Sequence, residues 1–148
     1  PLRPNNLMGS AMVYLTRLEH FNAAHKLYNP NWSLEKNEAM FGKCANENWH
    51  GHNYDLFVTV KGEINPETGF LIDLKLMKEI INTQIIDKVD HKNINLDVDF
   101  MKDKMASTEV IAMEIFHILK PHFAKENVTL HAIRLHETEN NSVEYFGD

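Results

Sequence analysis

The sequence predicts an α+β fold, in which an antiparallel β-sheet carries two helices packed on one face. Strand-like alternation of apolar and polar residues fills the first and last parts of the chain. Two amphipathic helical patterns stand together between them. Strands in runs, with helices grouped between the runs, are typical of α+β domains.

The N-terminal half contains three predicted strands. Residues Val13 to His25 alternate weakly and are rich in β-favouring side chains. Residues His50 to Lys61 are the clearest strand, because apolar side chains recur at every second position. An Asn-Pro-Glu-Thr-Gly turn then predicts a reversal into a short third strand, Phe70–Ile72. The long polar stretch 26–48 is predicted to be a functional loop, with a short helix near Leu34–Phe41.

Two helices are predicted in the middle of the chain. Asp73 is a favourable N-cap for a helix over residues 74–88, whose apolar residues recur at helical spacing. Ser107 is the N-cap of a second predicted helix over residues 108–120, which Pro121 is expected to end. Each helix has an apolar stripe, so each is expected to pack one face against the sheet.

The predicted elements belong to one domain, which spans residues 13–148. Two more strands, 128–136 and 142–146, complete the order β, β, β, α, α, β, β. A domain of this length buries enough surface to fold alone. Residues 1–12 lack periodicity and resemble a cloning remnant, so we expect a disordered segment outside the domain.

Charge and composition argue against two classes of partner. The net charge is −6 and no stretch is dense in Lys or Arg, which argues against nucleic acid. No apolar run approaches the roughly 18 residues that span a membrane, so no membrane partner is expected. The single cysteine, Cys44, cannot form an internal disulfide, which fits a reducing compartment and predicts a cytoplasmic protein.

The strongest local motif is His50-Gly51-His52, at the start of the clearest strand. Residues i and i+2 of a strand point to the same face, so both imidazoles are expected to lie within reach of one metal ion. His25, which ends the first strand, is the best candidate for a third ligand. Catalytic zinc sites commonly use three protein ligands and keep one position open. The alternative is that these histidines are ordinary surface residues of a strand.

Cys44 lies six residues before His50 and allows two kinds of zinc site. As a fourth ligand it would close the site, as in a non-catalytic zinc-binding module. Structural zinc sites usually use two or more cysteines, and this chain has one. We therefore expect a catalytic zinc with Cys44 beside it. Positive charge from the metal and from Lys43 would favour a thiolate, which can act as a general base.

Three further places combine acidic groups with positions suited to a site. Asp90 and His91 follow the end of a predicted helix, where the carboxylate either orients the imidazole or caps the helix. Glu137 ends a predicted strand, and its carboxylate can accept paired hydrogen bonds from a planar N–H edge. Thr108 and Glu109 begin the second helix, where they are either capping residues or part of the same site.

Six short segments occur in a fixed order along the chain: FNAAH at 21–25, FGKC at 41–44, HGHNY at 50–54, DHKN at 90–93, STE at 107–109 and ET at 137–138. Together they resemble the 6-pyruvoyl-tetrahydropterin synthase family, from about Leu15 to the C-terminus. The resemblance implies the tunnelling fold, whose subunits assemble into barrels. It also implies a homohexamer, a dimer of trimers, with active sites between subunits.

The resemblance further implies a substrate and a role for each candidate residue. The substrate would be 7,8-dihydroneopterin triphosphate, with magnesium on the triphosphate. Zinc would be held by three histidines: His25, His50 and His52. Cys44 would be the general base, with Asp90 and His91 as its relay partners. The pterin ring would be anchored by three residues: Glu137, Thr108 and Glu109.

Two related products are both compatible with this resemblance. The pyruvoyl enzymes eliminate triphosphate and form 6-pyruvoyl-tetrahydropterin. The similar 6-carboxytetrahydropterin synthases of queuosine biosynthesis share the substrate and the zinc site. Five residues separate Cys44 from His50, and this gap favours the pyruvoyl type. The leading prediction is therefore a phosphate-eliminating carbon–oxygen lyase of tetrahydrobiopterin biosynthesis.

Overall fold

A computed structural model describes residues 11–148, and within that range one five-stranded sheet organises the fold. Its strands are β1 (Met12–His25), β2 (His50–Glu63), β3 (Lys92–Asn93), β4 (Thr129–His136) and β5 (Ser142–Tyr145). Their order across the sheet is β3-β1-β2-β4-β5. The pairs β1–β2, β2–β4 and β4–β5 are antiparallel, whereas β3 lies parallel to β1. The predicted α+β class is therefore confirmed, with a mixed sheet in place of a purely antiparallel one.

The predicted disordered segment, residues 1–12, lies outside the described residues except for its last two positions. Of these, Met12 already begins β1 and pairs with Glu63. β1 and β2 are each 14 residues long, and their burial alternates between successive residues. The alternation follows the period of two that a half-buried strand requires.

Helices cover one face of this sheet. The structure has α1 (Leu34–Phe41), α2 (Leu74–Ile81), α3 (Asp87–Val89), α4 (Ile94–Asp97) and α5 (Thr108–Ala124). The largest fully buried side chains come from the inner face of the sheet and from the helices that cover it: Phe21, Tyr54, Leu56, Met77, Ile81, Ile85, Ile94, Met101, Ile111, Ile115, Leu119 and Phe123. This shared core fixes the position of the strand ends relative to the helices.

Both predicted helix starts are confirmed by their capping hydrogen bonds. Asp73 accepts a bond from the backbone N–H of Lys75 at 2.8 Å, and Ser107 accepts one from Val110 at 3.3 Å. The predicted helix 74–88 is interrupted by a π-helical turn at Asn82–Ile86, between α2 and α3. A single wide turn of this kind shifts the following residues around the helix axis.

One predicted strand and one predicted helix end are wrong. Phe70–Ile72 does not form a strand, since its backbone pairs with no strand among the described residues. Ile72 is 5% exposed and packs into the core, whereas Phe70 is exposed. Pro121 does not end α5, which continues to Ala124. The last turn holds because Phe123 is fully buried.

Three short elements after α3 have no counterpart among the predicted ones: β3, α4 and a 3₁₀ turn. β3 pairs with Ala23 and Ala24 of β1, in a stretch where the sequence predicts only a loop. Two residues are too few to show a period of two, so the pattern carries no strand signal there. A 3₁₀ turn, Asp99–Met101, lies in the same predicted loop.

Among the described residues, every helix is too short or too polar to cross a lipid bilayer.

Candidate functional site

The strand register brings the three predicted histidine ligands to one face of the sheet. His25, the last residue of β1, lies directly opposite His50, the first residue of β2. His52 lies two residues further along β2 and therefore projects to the same side. The ring centroids are 4.5 Å apart for His25 and His50, 5.1 Å for His25 and His52, and 4.9 Å for His50 and His52.

One ring nitrogen of each histidine lies buried without a hydrogen-bond partner. These atoms are Nε2 of His25, Nδ1 of His50 and Nε2 of His52. His25 is oriented from behind, because its Nδ1–H donates to the carbonyl oxygen of Ala106 at 2.7 Å. Its Nε2 is then the bare, lone-pair nitrogen, and it faces the other two imidazoles. A backbone carbonyl in this position is a common way of fixing a metal-ligating imidazole.

Glu137 joins the histidines at the end of β4. One carboxylate oxygen, Oε1, lies 3.0 Å from Nε2 of His52, and the other accepts a hydrogen bond from the Thr108 hydroxyl. One ligand atom from each of the three histidines and from Glu137 lies within 4.8 Å of the others. Nitrogen and carboxylate ligands at this spacing can hold a metal ion.

Burial lowers the pKa of all three imidazoles. For His25 and His52 the Glu137 carboxylate opposes the effect of burial, and for His25 the Ala106 carbonyl opposes it as well. For His50 the nearby His25 lowers the pKa further. The rings are therefore neutral near neutral pH, which is the state that binds a metal.

The donor set fits a metal ion better than it fits a closed protein network. The three buried ring nitrogens face one another and form no hydrogen bond among themselves, and among the described residues only Nε2 of His52 has a polar neighbour close by, Oε1 of Glu137. A buried polar atom without a partner costs free energy, so a cation between the rings would stabilise the arrangement. The chain can thus hold a metal ion at His25, His50, His52 and Glu137.

Tyr54 extends the same face of β2 beyond the histidines. Its side chain is fully buried and stacks on Phe21 at a centroid distance of 4.7 Å. Its ring centroid lies 5.7 Å from that of His52 and 6.1 Å from that of His25. Burial raises the pKa of Tyr54 and the negative charge of Glu137 raises it further, so the hydroxyl stays protonated.

Cys44 lies outside the four-residue metal group. It occupies a 3₁₀ turn, Gly42–Ala45, and is half-buried. Its carbonyl oxygen accepts a hydrogen bond from the backbone N–H of Leu27 at 2.7 Å, which ties this turn to the end of β1. The turn is therefore next to the strand that carries His25, while the thiol is not among the grouped ligand atoms.

Asp90 and His91 form a pair at the edge of the sheet. Oδ1 of Asp90 lies 3.0 Å from Nδ1 of His91 and also accepts a hydrogen bond from the backbone N–H of Asn22 at 2.9 Å. That backbone bond is the largest of the effects that lower the pKa of Asp90. His91 has a positive φ of 59° and donates its own N–H to Asn22 at 2.6 Å. Within residues 11–148, no hydrogen bond connects this pair to Cys44.

The remaining predicted residues line a small cavity at the start of α5. Thr108, Glu109 and Glu137 border a space of about 320 Å³ together with Asn141, Ser142 and Val143. Thr108 is buried, whereas Glu109 is exposed. The three residues predicted to hold the pterin ring are thus brought together next to the histidines.

Two contributors to the site were not predicted. Ala106, which acts through its carbonyl oxygen, leaves no signal in sequence because any residue carries that group. Tyr54 could have been found, since it shares the parity of His50 and His52 along β2. The structure places its ring in the core.

Comparisons with known proteins agree with this geometry. The sequence model of the family described as 6-pyruvoyl tetrahydropterin synthase matches residues 14–148. The 6-pyruvoyl tetrahydrobiopterin synthase of Pongo abelii is 40% identical over 134 residues, which is 90% of this chain and 91% of that protein. The 6-carboxy-5,6,7,8-tetrahydropterin synthase of Bacillus subtilis is 30% identical over 66% of this chain and 58% of that protein.

A solved structure gives the same result for the fold. The 6-pyruvoyl tetrahydropterin synthase of Caenorhabditis elegans superimposes with a TM-score of 0.87 at 35% sequence identity. The match covers 93% of this chain and 97% of that one. The match of the family model takes in the histidines, Glu137 and the helices between them. The chain belongs to the 6-pyruvoyl tetrahydropterin synthase family.

Proposed function

We propose that this protein is a zinc-dependent lyase that converts 7,8-dihydroneopterin triphosphate to 6-pyruvoyl-tetrahydropterin and eliminates triphosphate. The observation that carries the proposal is the convergence of three bare imidazole nitrogens beside Glu137. Relatives that match nearly the whole chain are named for the pyruvoyl product, which supports the same reaction. Zinc suits a site built from imidazole ligands with a position left for substrate.

In this proposal His25, His50 and His52 hold the zinc. When bound there, zinc supplies Lewis-acid polarisation of the oxygens on the pterin side chain, which makes the adjacent C–H groups more acidic. The carbonyl of Ala106 keeps the His25 ring in the tautomer that presents Nε2. The lowered pKa values keep all three rings unprotonated and available.

Glu137, Thr108 and Glu109 are proposed to bind the pterin ring. One planar edge of the pterin ring carries an amino group and a ring N–H. A carboxylate can accept one hydrogen bond from each of them, in a paired arrangement. The Thr108 hydroxyl holds the Glu137 carboxylate from one side and so fixes its orientation. The cavity that these residues border lies next to the histidines, which would place the side chain of a bound pterin near the metal group.

Cys44 is the proposed general base that removes a proton from the pterin side chain. A thiolate is nucleophilic and basic near neutral pH when positive charge stabilises it, and Lys43 precedes it in the same turn. Asp90 and His91 are the proposed relay partners. Their carboxylate–imidazole contact suits an imidazole that takes up or delivers a proton.

The separation of Cys44 from the Asp90–His91 pair supports a composite site. If the pair from one subunit meets Cys44 of another, the active site lies between subunits of the proposed homohexamer, a dimer of trimers. Co-expression of the variants Cys44→Ala and His91→Ala under two different tags tests this. Mixed oligomers should regain part of the activity that each variant lacks alone. No recovery in isolated mixed oligomers would contradict a shared site.

Identification of the product decides between the pyruvoyl and carboxy reactions. Purified protein is incubated with 7,8-dihydroneopterin triphosphate, zinc and magnesium, and the products are identified by mass spectrometry. Magnesium is included because we propose that it binds with the triphosphate. We expect inorganic triphosphate and a pterin that keeps the three-carbon side chain. A 6-carboxy pterin would instead indicate the queuosine-type reaction.

We place the enzyme in the cytoplasm, because its single cysteine suits a reducing compartment.

A further inference from the structure

The hydroxyl of Tyr54 has no part in the function proposed above, although it lies within the site. The residue follows His50 and His52 on the same face of β2, and its side chain is fully buried. The hydroxyl oxygen has no hydrogen-bond partner among the described residues. Stacking on Phe21, with the two rings inclined by 11°, fixes the ring so that the hydroxyl cannot turn away to solvent.

The Tyr54 hydroxyl differs chemically from the unpaired imidazole nitrogens beside it. The three imidazoles offer lone pairs, which a metal ion satisfies. A neutral phenol offers an O–H donor, which a metal ion does not satisfy and an oxygen atom does. Phenylalanine would pack against Phe21 equally well without leaving a buried donor unpaired. The hydroxyl therefore points to a partner that arrives with the ligand.

We propose that Tyr54 is a substrate-binding residue, whose hydroxyl donates a hydrogen bond to a side-chain hydroxyl oxygen of the pterin. This inference rests on the proposed function. The position of Tyr54 is compatible with that role, since the centroid of its ring lies 5.7 Å from that of His52 and 6.1 Å from that of His25. Glu137 would hold the ring of the same ligand, so Tyr54 and Glu137 recognise two different parts of it.

Binding of two pterins to the zinc-loaded protein tests this assignment. Neopterin carries a trihydroxypropyl side chain, whereas 6-methylpterin has the same ring and no side-chain hydroxyl. Dissociation constants are measured from pterin fluorescence for the wild-type protein, for Tyr54→Phe and for the control Tyr14→Phe. Tyr14 is exposed and lies on the opposite face of the sheet.

We expect Tyr54→Phe to weaken neopterin binding about tenfold, the loss typical of one buried hydrogen bond, and to leave 6-methylpterin binding unchanged. The Tyr14→Phe control should bind both pterins like the wild type. Equal weakening of both pterins would mean that the hydroxyl acts through Glu137 and would overturn the inference. No weakening of either would overturn it as well. Failure of the wild-type protein to bind either pterin would overturn the proposed function, and this inference with it.

Thermal unfolding of the metal-free protein gives a second, independent readout. Because the hydroxyl has no partner within the protein, metal-free Tyr54→Phe should unfold at the wild-type temperature or slightly above it. A clear decrease would show that the hydroxyl already has a protein partner, and that its role is structural. The same measurement establishes that the variant is folded before its pterin affinities are compared.

Discussion

The Thr108 hydroxyl donates a hydrogen bond to the Glu137 carboxylate, and so links the first residue of α5 to the residue that follows β4. The other oxygen of the same carboxylate lies 3.0 Å from Nε2 of His52. Glu137 is thereby oriented by a hydroxyl that donates to one oxygen, while its other oxygen faces an imidazole. A carboxylate fixed in this way is prepared to receive a planar ligand without reorganising.

Removal of the Thr108 hydroxyl should therefore weaken pterin binding more than it slows turnover. We expect Thr108→Val to raise the KM by about tenfold, since hydrogen bonds to charged groups contribute about 1.5–3 kcal/mol. The kcat should change little and the zinc content should be unchanged. Thr108→Ser, which restores the hydroxyl, should recover most of the affinity.

Thr16→Val is the matched control for the change in side-chain chemistry. Thr16 also bonds through its hydroxyl, to Thr59 at 2.6 Å, but on the exposed face of the sheet. Its substitution should leave KM unchanged. An equal rise in KM for both variants would mean that the effect is not specific to Glu137.

Metal content should depend on each of the three histidines. We expect about one zinc per chain in the wild-type protein and well below half of that in His25→Ala, His50→Ala and His52→Ala, measured by inductively coupled plasma mass spectrometry. The reason is that the loss of one of three imidazoles leaves too few ligands for a catalytic site. His122→Ala, near the end of α5, is the control and should keep its zinc.

Chelation should also lower the unfolding temperature. A metal present at about a thousand times its Kd stabilises the folded state by about 4 kcal/mol, which is a shift of roughly 10 °C for a chain of this size. His50→Ala should show no such shift on addition of chelator. A wild-type protein with bound zinc and an unchanged unfolding temperature after chelation would contradict binding of the metal at these buried groups.

The metal-free protein should lose stability as the pH falls below about 6.5. The pKa values of His25, His50 and His52 are lowered from 6.5 in the folded state, with burial as the largest cause. Above pH 6.5 the rings are neutral in both states, so they add no pH dependence. Below it the unfolded chain takes up protons that the folded chain does not, and the free energy of unfolding decreases.

Thermal midpoints of metal-free protein between pH 7.5 and 5.5 measure this slope. His52→Gln removes one of the three titrating rings and should reduce the slope. His122→Gln should keep it. A slope that His52→Gln leaves unchanged would assign the acid sensitivity to other groups.

Most of the site could be predicted because its geometry follows from strand periodicity. His50 and His52 share a face by the period of two, and His25 opposes His50 because β1 and β2 pair along their whole length. The sequence could not supply the depth of burial or the orientation of each ring. Those depend on Ala106, which lies 81 residues from His25 and contributes only its backbone.

The errors in the fold share one physical cause. The strand predicted at Phe70–Ile72 and the helix end predicted at Pro121 rest on local propensity, which tertiary packing overrides where side chains are buried. Ile72 fills the core without pairing its backbone, and Phe123 holds a helical turn beyond a proline. β3 could not be predicted, because its two residues form a strand only by pairing with β1, which is distant in sequence.

The loop that carries Cys44 should depend on Asn37 for its stability. Asn37 is fully buried in α1 and donates to the carbonyl oxygens of Asn29 and Ser33 at 3.0 Å, while its Oδ1 accepts from the N–H of Asn29 at 2.7 Å. Asn37→Ala would leave these buried groups unpaired, so we expect the free energy of unfolding to fall by about 2–3 kcal/mol. Urea denaturation measures it, with the exposed Asn31→Ala as a control that should change little. A loss equal in both variants would show that the buried network is not what holds the loop.

Cys44→Ala should separate chemistry from binding. If the thiolate is the general base, the variant should lose about 10²–10⁴-fold in kcat, the usual contribution of a positioned base. Zinc content and neopterin affinity should stay at wild-type values, because the thiol lies outside the group formed by the histidines and Glu137. Cys44→Ser should be nearly as slow as the alanine variant, since a serine hydroxyl stays protonated at neutral pH.

Loss of zinc together with activity would instead make Cys44 a metal ligand and favour a closed structural site. Full turnover by Cys44→Ala would assign the base to another group, with His91 the next to test, through the pH profile of His91→Ala.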